Sequence, residues 1–170
     1  MAIALRPPTP EDAAAIVEAV RESADDLRPW MPWARDDYGV DEARAWIERT
    51  IGDRERGSAY EFLVTGDEGR ILGACGLNRV NHEDRLANLG YWIRTSAAGR
   101  GITPEAVRNL AAWGFAATEL CRFEIVVAIE NVRSQRVAEK VGALREGVLK
   151  SRLWLYEVPH DAVIYSIVRS

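Results

Sequence analysis

Two glycines one residue apart, Gly99 and Gly101, lie between a strand-like run ending Tyr91-Trp92-Ile93-Arg94 and a helical pattern that runs toward Phe115. Glycine tolerates the positive φ that exposes successive backbone N–H groups, and a helix start adds free donors and the positive end of its dipole. The segment from Gly99 to Thr103 therefore reads as an anion cradle, and a phosphate is its natural guest. A P-loop needs Lys and then Ser or Thr after its second glycine, where this chain has Ile102-Thr103; a dinucleotide fingerprint needs a third glycine where Pro104 stands. Gly-x-Gly alone also suits an ordinary tight turn, so the elements around it decide.

Those elements are legible as periodicity. Ile3 and Leu5 suggest a short strand ended by Arg6-Pro7-Pro8, and Thr9 caps a helix to about Glu22 with Ala13, Ile16, Val17 and Val20 on its apolar stripe. Prolines interrupt Leu27 to Trp33, and Asp41 opens a second helix carrying Ala45, Trp46 and Ile51. Tyr60 to Val64, Ile71 to Val80 and Leu86 to Arg94 read as an antiparallel meander joined by polar turns. The cradle then opens an amphipathic helix of about four turns, with Ala106, Val107, Leu110, Ala111, Gly114 and Phe115 on one face. Arg122 to Ile129 reads as a central strand buried on both faces, parallel to the strand before that helix. Asn131 to Val141 is a short helix ended by Gly142, and Leu149 to Tyr156 and Ala162 to Val168 are two further strands.

With 170 residues, 48% of them hydrophobic, the chain suits a single domain spanning 1–170 around one core. A net charge of -4 gives no broad attraction for nucleic acid or an anionic membrane. No cationic leader follows Met1 and no apolar run nears the roughly 20 residues that span a bilayer, so a cytoplasmic protein is expected. Cys75 and Cys121 sit among apolar residues without CxxC spacing, which predicts buried reduced thiols and no metal.

Strand, two helices, three-strand meander, cradle with helix, strand, helix and two strands is the layout of the GNAT superfamily of acetyl-coenzyme A dependent N-acetyltransferases, which the chain resembles from end to end. The resemblance is closest over Leu89 to Gly147, in Gly90-Tyr91-Trp92-Ile93, Gly99-Arg100-Gly101-Ile102-Thr103-Pro104-Glu105-Ala106, Asn131-Val132-Arg133-Ser134 and Glu139-Lys140-Val141-Gly142. Together these resemble the RimJ/RimL branch, which acetylates protein N-termini and other amines. The resemblance implies a mixed α/β fold, a mostly antiparallel sheet with a central parallel strand pair and about four helices. It also implies acetyl-coenzyme A as cosubstrate and direct attack by a primary amine. A protein N-terminus is the leading acceptor; a small amine, or a catalytically silent module that binds or senses acyl-coenzyme A, stays open, as does the choice between monomer and homodimer.

Site roles follow from the resemblance. The pyrophosphate of coenzyme A meets the backbone of Gly99, Arg100, Gly101, Ile102 and Thr103, with charge from Arg94 and Arg100, Thr103 as N-cap and Pro104 as first helical residue. Ser96 replaces the family's usual Gln or Arg. The pantetheine arm lies along Tyr91, Trp92, Ile93 and Arg94, in a wedge against Phe123 to Ile129. Asn131 meets that arm or caps its helix, and Arg133, Arg136 and Lys140 face the 3′-phosphate or solvent. Ala138 stands where many relatives carry a tyrosine acid, which leaves the Ser134 hydroxyl to meet the sulfur. Asn88 replaces a carboxylate common in relatives; an amide can orient an amine or a water, and deprotonation then passes through a water chain or a carboxylate such as Glu61. Trp30, Trp33 and Tyr91 wall the acceptor cleft, with core packing the alternative for the tryptophans. Asp36, Asp37, His82 and His160 read as solvated turn or loop residues.

Overall fold

The computed structural model describes residues 2–169. Its strands are β1 (Ala4–Arg6), β2 (Tyr60–Thr65), β3 (Ile71–Asn81), β4 (Leu86–Ile93), β5 (Arg122–Ala128), β6 (Leu144–Leu155) and β7 (Val158–Val168), and its helices are α1 (Ala13–Glu22), α2 (Ala24–Leu27), α3 (Val40–Arg56), α4 (Ile102–Ala117) and α5 (Val132–Lys140). The strands form one sheet in the order β1-β2-β3-β4-β5-β7-β6, and every neighbouring pair is antiparallel except β4 and β5. This is the mixed fold with a central parallel pair expected from the chain, with the one-turn α2 as a helix beyond the expected four.

Alternation along the strands divides the core between two faces. Phe62, Val64, Leu77, Leu89, Phe123 and Ile125 pack with Val107 and Leu110 of α4, while Leu63 and Ala74 pack with Ile16, Val20 and Ile47 of α1 and α3. Gly114 is where α4 presses closest to the sheet: a Cβ there would lie 2.7 Å from both Leu77 Cδ1 and Phe123 Cζ. Gly114→Ala therefore overpacks this face and is expected to cost about 1–3 kcal/mol, read as a lower urea midpoint at unchanged slope.

Several local expectations are corrected. The first helix opens with a 3-10 turn at Pro10–Asp12, where Asp12 accepts from the Thr9 amide at 2.7 Å and pairs with Arg6 at 2.6 Å. α4 begins at Ile102 behind Gly101, so Thr103 is its second residue and Pro104 its third. Both positions lie in the first turn, whose N–H groups have no intrahelical acceptor, and proline costs little there. β5 is not buried on both faces: Phe123, Ile125 and Val127 turn inward, while Arg122 and Glu124 pair with one another at 2.9 Å. β6 starts at Leu144 and β7 at Val158, both earlier than periodicity suggests. Cys75 is buried as expected but Cys121 is exposed, because it precedes the first residue of β5. Among the described residues, no helix is long and apolar enough to cross a membrane.

Candidate active site

β4 and β5 pair only at Leu86–Arg122, Ala87–Phe123 and Asn88–Glu124. Beyond Asn88 they diverge, and the opening holds a cavity of about 170 Å³ lined by Gly90, Tyr91, Val126, Val127, Asn131 and Ser134. An open strand edge exposes unpaired backbone groups that can accept an extended, amide-rich chain. At its far end Gly99 has φ +75 and Gly101 φ +78, and a Cβ on either would meet nothing within 4 Å. The cradle is therefore an open concavity. No acceptor among the described residues takes the amides of Gly99, Arg100 or Gly101, and helix geometry leaves those of Ile102 and Thr103 free as well. The adjoining cavity, about 270 Å³, is lined by Trp92, Ile93, Gly99, Gly101, Ile102, Thr103, Arg136 and Lys140 among others. This fits a pyrophosphate at a helix N-terminus with cations on the opposite wall.

Arg94 is not among those cations. Its side chain, 1% exposed, turns away from the cradle and pairs with Glu18 and Glu22, each at 2.6 Å, while its Nε donates to the Ile71 carbonyl at 3.0 Å. The two carboxylates hold its pKa above the usual value despite burial. The guanidinium thus ties α1 to the sheet under the cradle. Its removal leaves carboxylates and a carbonyl without their partner, so Arg94→Ala is expected to lower stability by about 3 kcal/mol. The same variant, at temperatures where it is folded, keeps wild-type affinity for coenzyme A; a large affinity loss would restore a cradle role. Arg100 is exposed beside the loop. Arg133 lines the cavity but is paired with Asp26 at 3.0 Å.

Asn131 caps α5: its Oδ1 accepts from the Ser134 amide at 3.1 Å. The cap uses the oxygen and leaves the Nδ2 donors uncommitted, and Asn131 lines both the wedge and the cradle cavity, so capping and ligand contact are compatible. One turn on, Ser134 meets a partner that the sequence alone assigns only to the cleft wall. Tyr91 Oη lies 3.0 Å from Ser134 Oγ and donates to the Ser134 carbonyl at 3.0 Å. Burial pushes the phenol up to about 12, against the pull of the Ser134 contact. Tyr91 is therefore a neutral hydroxyl that bridges to a second hydroxyl. It lines all three cavities, and Ser134 lines the two on the cofactor side.

The third cavity, about 510 Å³, lies on the α1 and α3 side of the sheet and is walled by Met31, Trp33, Tyr38, Trp46 and Trp92. Trp33 is 40% exposed at its mouth and meets Trp92 edge-on, with ring centroids 6.2 Å apart. Trp30 does not join it; the loop turns this ring toward the cradle and the wedge. Asn88 donates to Asn78 Oδ1 at 2.9 Å, and Asn78 donates to Glu61 Oε1 at 3.2 Å. Sequence reasoning misses Asn78. Its one sequence signal is position: it follows Gly76 by two residues and so shares a sheet face with it. Asp36 pairs with Arg28 and Asp37 with Arg35, each at 2.8 Å. His82 meets the Gly57 carbonyl and His160 lies 3.6 Å from Glu130, and neither lines a described cavity.

Residues 3–144 match the family model described as an acetyltransferase (GNAT) domain. The chain is similar to YdaF of Bacillus subtilis (strain 168), 30% identical over 98% of this chain and 91% of that protein. It is also similar to the ribosomal-protein-serine acetyltransferase of Escherichia coli (strain K12), 27% identical over 82% of this chain and 78% of the relative. Among solved structures, Mycobacterium smegmatis RimJ in complex with CoA-disulfide aligns with a TM-score of 0.91 at 28% identity, covering 98% of this chain and 81% of that one.

Proposed function

From the premise that the chain belongs to the GNAT acetyltransferase family, we propose that it transfers acetyl from acetyl-coenzyme A to the N-terminal α-amine of a protein, in the cytoplasm, by direct attack. The cosubstrate supplies an activated acetyl thioester. The backbone of Gly99 to Thr103 binds its pyrophosphate, and the edge of β4 from Tyr91 to Ile93 orients its arm in the wedge. The observation that carries the reading is the Tyr91–Ser134 hydroxyl pair, 3.0 Å apart where the acceptor cavity meets the wedge. That is where a departing thiolate needs a donor. The Ser134 hydroxyl donates to the sulfur, and the single Tyr91 proton, given to the Ser134 carbonyl in this structure, turns to Ser134 Oγ to replace the one transferred.

A protein acceptor is supported by the relative whose name states one, the ribosomal-protein-serine acetyltransferase. The test is incubation with acetyl-coenzyme A and a panel of N-terminal peptides and small amines, scored by thiol release and mass spectrometry. Peptide acetylation at the α-amine is the expected result. Acetylation of small amines alone would replace the acceptor, and cofactor binding without thiol release across the panel would make the chain a silent acyl-coenzyme A module.

A further inference from the structure

Glu61, Gly76 and Gly90 stand side by side on β2, β3 and β4, since Glu61 pairs with Gly76 and Gly76 with Gly90. All three point to the face that carries α1 and α3. The two glycines leave a bare trough across the sheet, and Glu61 lies in it: a Cβ on Gly76 would be 1.8 Å from Glu61 Oε2. Strands are about 4.8 Å apart, so this carboxylate ends roughly one strand spacing from Gly90. Gly90 borders both the acceptor cavity and the wedge. Glycines inside strands mark close approach of another group, and here the group is an acid.

The surroundings fix one oxygen and leave the other open. Asn78 holds Oε1 at 3.2 Å and is itself held by Asn88 at 2.9 Å, while Oε2 has no hydrogen-bond partner among the described residues. α3 presents Arg49, Asp53 and Arg54 to this group and β3 presents Asn78, while the Cys75 side chain packs on the opposite face of the sheet. Arg54 is committed elsewhere: it donates to the Glu61 carbonyl at 2.9 Å and lies over the Phe62 ring at 4.5 Å. Burial keeps the Cys75 thiol protonated. Burial also raises the Glu61 carboxyl above the ordinary carboxylate value, against Asn78, Arg49 and Arg54, which makes it a stronger proton acceptor than a solvated carboxylate.

We propose that Glu61 receives the protonated amine of the acceptor and removes one of its protons, with Asn78 and Asn88 as positioning residues that hold the carboxylate in line with the wedge. The assignment rests on the acetyltransferase reading of the site. One N–H bond of the ammonium breaks and an O–H bond forms on Glu61. The freed electron pair makes the C–N bond to the acetyl carbon as the C–S bond breaks. Glu61 sheds this first proton to solvent and takes the second nitrogen proton as the amide forms, while Ser134 gives its proton to the sulfur and is reprotonated from solvent through Tyr91; once Glu61 has released its proton again, the sum is one amide, one free thiol and one proton. The Trp33, Trp46 and Trp92 rings give the carbon next to the ammonium an apolar bed.

The first test needs no turnover. Tryptophan fluorescence of the full chain is titrated with n-butylammonium chloride near neutral pH, for wild type and for Glu61→Gln. Affinity is expected to fall at least about tenfold in the variant, the loss of one charge-assisted contact, while n-butanol binds both alike. Equal ammonium affinity in the two proteins, or none in either, overturns the proposal. Folding is checked in the same samples. The raised carboxyl means that the native state holds its proton more tightly than the unfolded chain. Wild-type stability therefore falls as pH rises from about 4.3 through the raised value, and the Gln variant escapes that loss. Glu61→Gln is thus expected to melt at or above the wild-type Tm at neutral pH.

In the second test, kcat/KM for a peptide acceptor drops about 100-fold in Glu61→Gln near neutral pH and recovers at pH values where the amine is neutral in solution. A variant within threefold of wild type at every pH removes the base role. Wild-type ammonium binding without acetyl transfer to any acceptor would instead sink the acetyltransferase reading and leave the ammonium site standing.

Discussion

Gly101→Asp is expected to weaken coenzyme A binding by more than about 100-fold while the protein stays folded. Gly101 has φ +78, and any side chain there carries a backbone cost of about 1–2 kcal/mol. A Cβ at this position would have no atom within 4 Å, so that cost is confined to the backbone. The charge is another matter. A carboxylate about 5 Å from a pyrophosphate, at an effective dielectric of about 20, is repelled by about 3 kcal/mol per unit charge, and each 1.4 kcal/mol is tenfold. Gly101→Ala separates the two effects, since it carries the strain without the charge. The measurement is the rise in Tm on adding coenzyme A, which mass action ties to affinity. Wild type and, to a smaller extent, Gly101→Ala should show the rise and Gly101→Asp should not. A folded Asp variant with wild-type affinity would remove this loop from the cofactor site.

The same loop illustrates what local sequence carries and what it does not. Positive φ at Gly99 and Gly101 is legible because a tight turn into a helix demands a residue without Cβ. The N-cap is misplaced by two residues because a side-chain capper, Thr103, outranks glycine in propensity, whereas here the left-handed Gly101 itself starts the helix. Arg94 resembles a phosphate ligand from its place before the loop. Its partners Glu18 and Glu22 lie 76 and 72 residues away, and no local pattern announces them. β6 reads late because it pairs only with β7, so Arg145, Glu146 and Lys150 face water and blur the apolar alternation. Glu61 escapes placement for a related reason. Its significance lies in the register that aligns it with Gly76 and Gly90, and register is a property of strand pairing rather than of any one strand.

Tyr91 and Ser134 are expected to behave as one unit in turnover. Ser134→Ala removes the hydroxyl but keeps the backbone N–H that Asn131 caps and the carbonyl that Tyr91 contacts, so α5 should stay in place. Tyr91→Phe keeps the ring in the core and removes only the oxygen. Each single variant is expected to lower kcat by about 100-fold, in the range of a lost proton donor, with little change in coenzyme A affinity. The double variant should be no slower than the worse single one, because a hydroxyl relay is broken equally by losing either member. Additive losses would mean that the two hydroxyls act separately and would end the relay. The phenol, pushed up to about 12, sets a further condition. It stays protonated at working pH, so Tyr91 contributes no descending limb to the rate profile below that range, and any limb seen near neutrality must come from another group. Loss in Glu61→Gln of the ascending limb that a carboxylate base gives, with its survival in Tyr91→Phe, would assign the two proton transfers to opposite sides of β4. The acid at the sulfur and the base at the nitrogen would then work from separate cavities that meet at Tyr91.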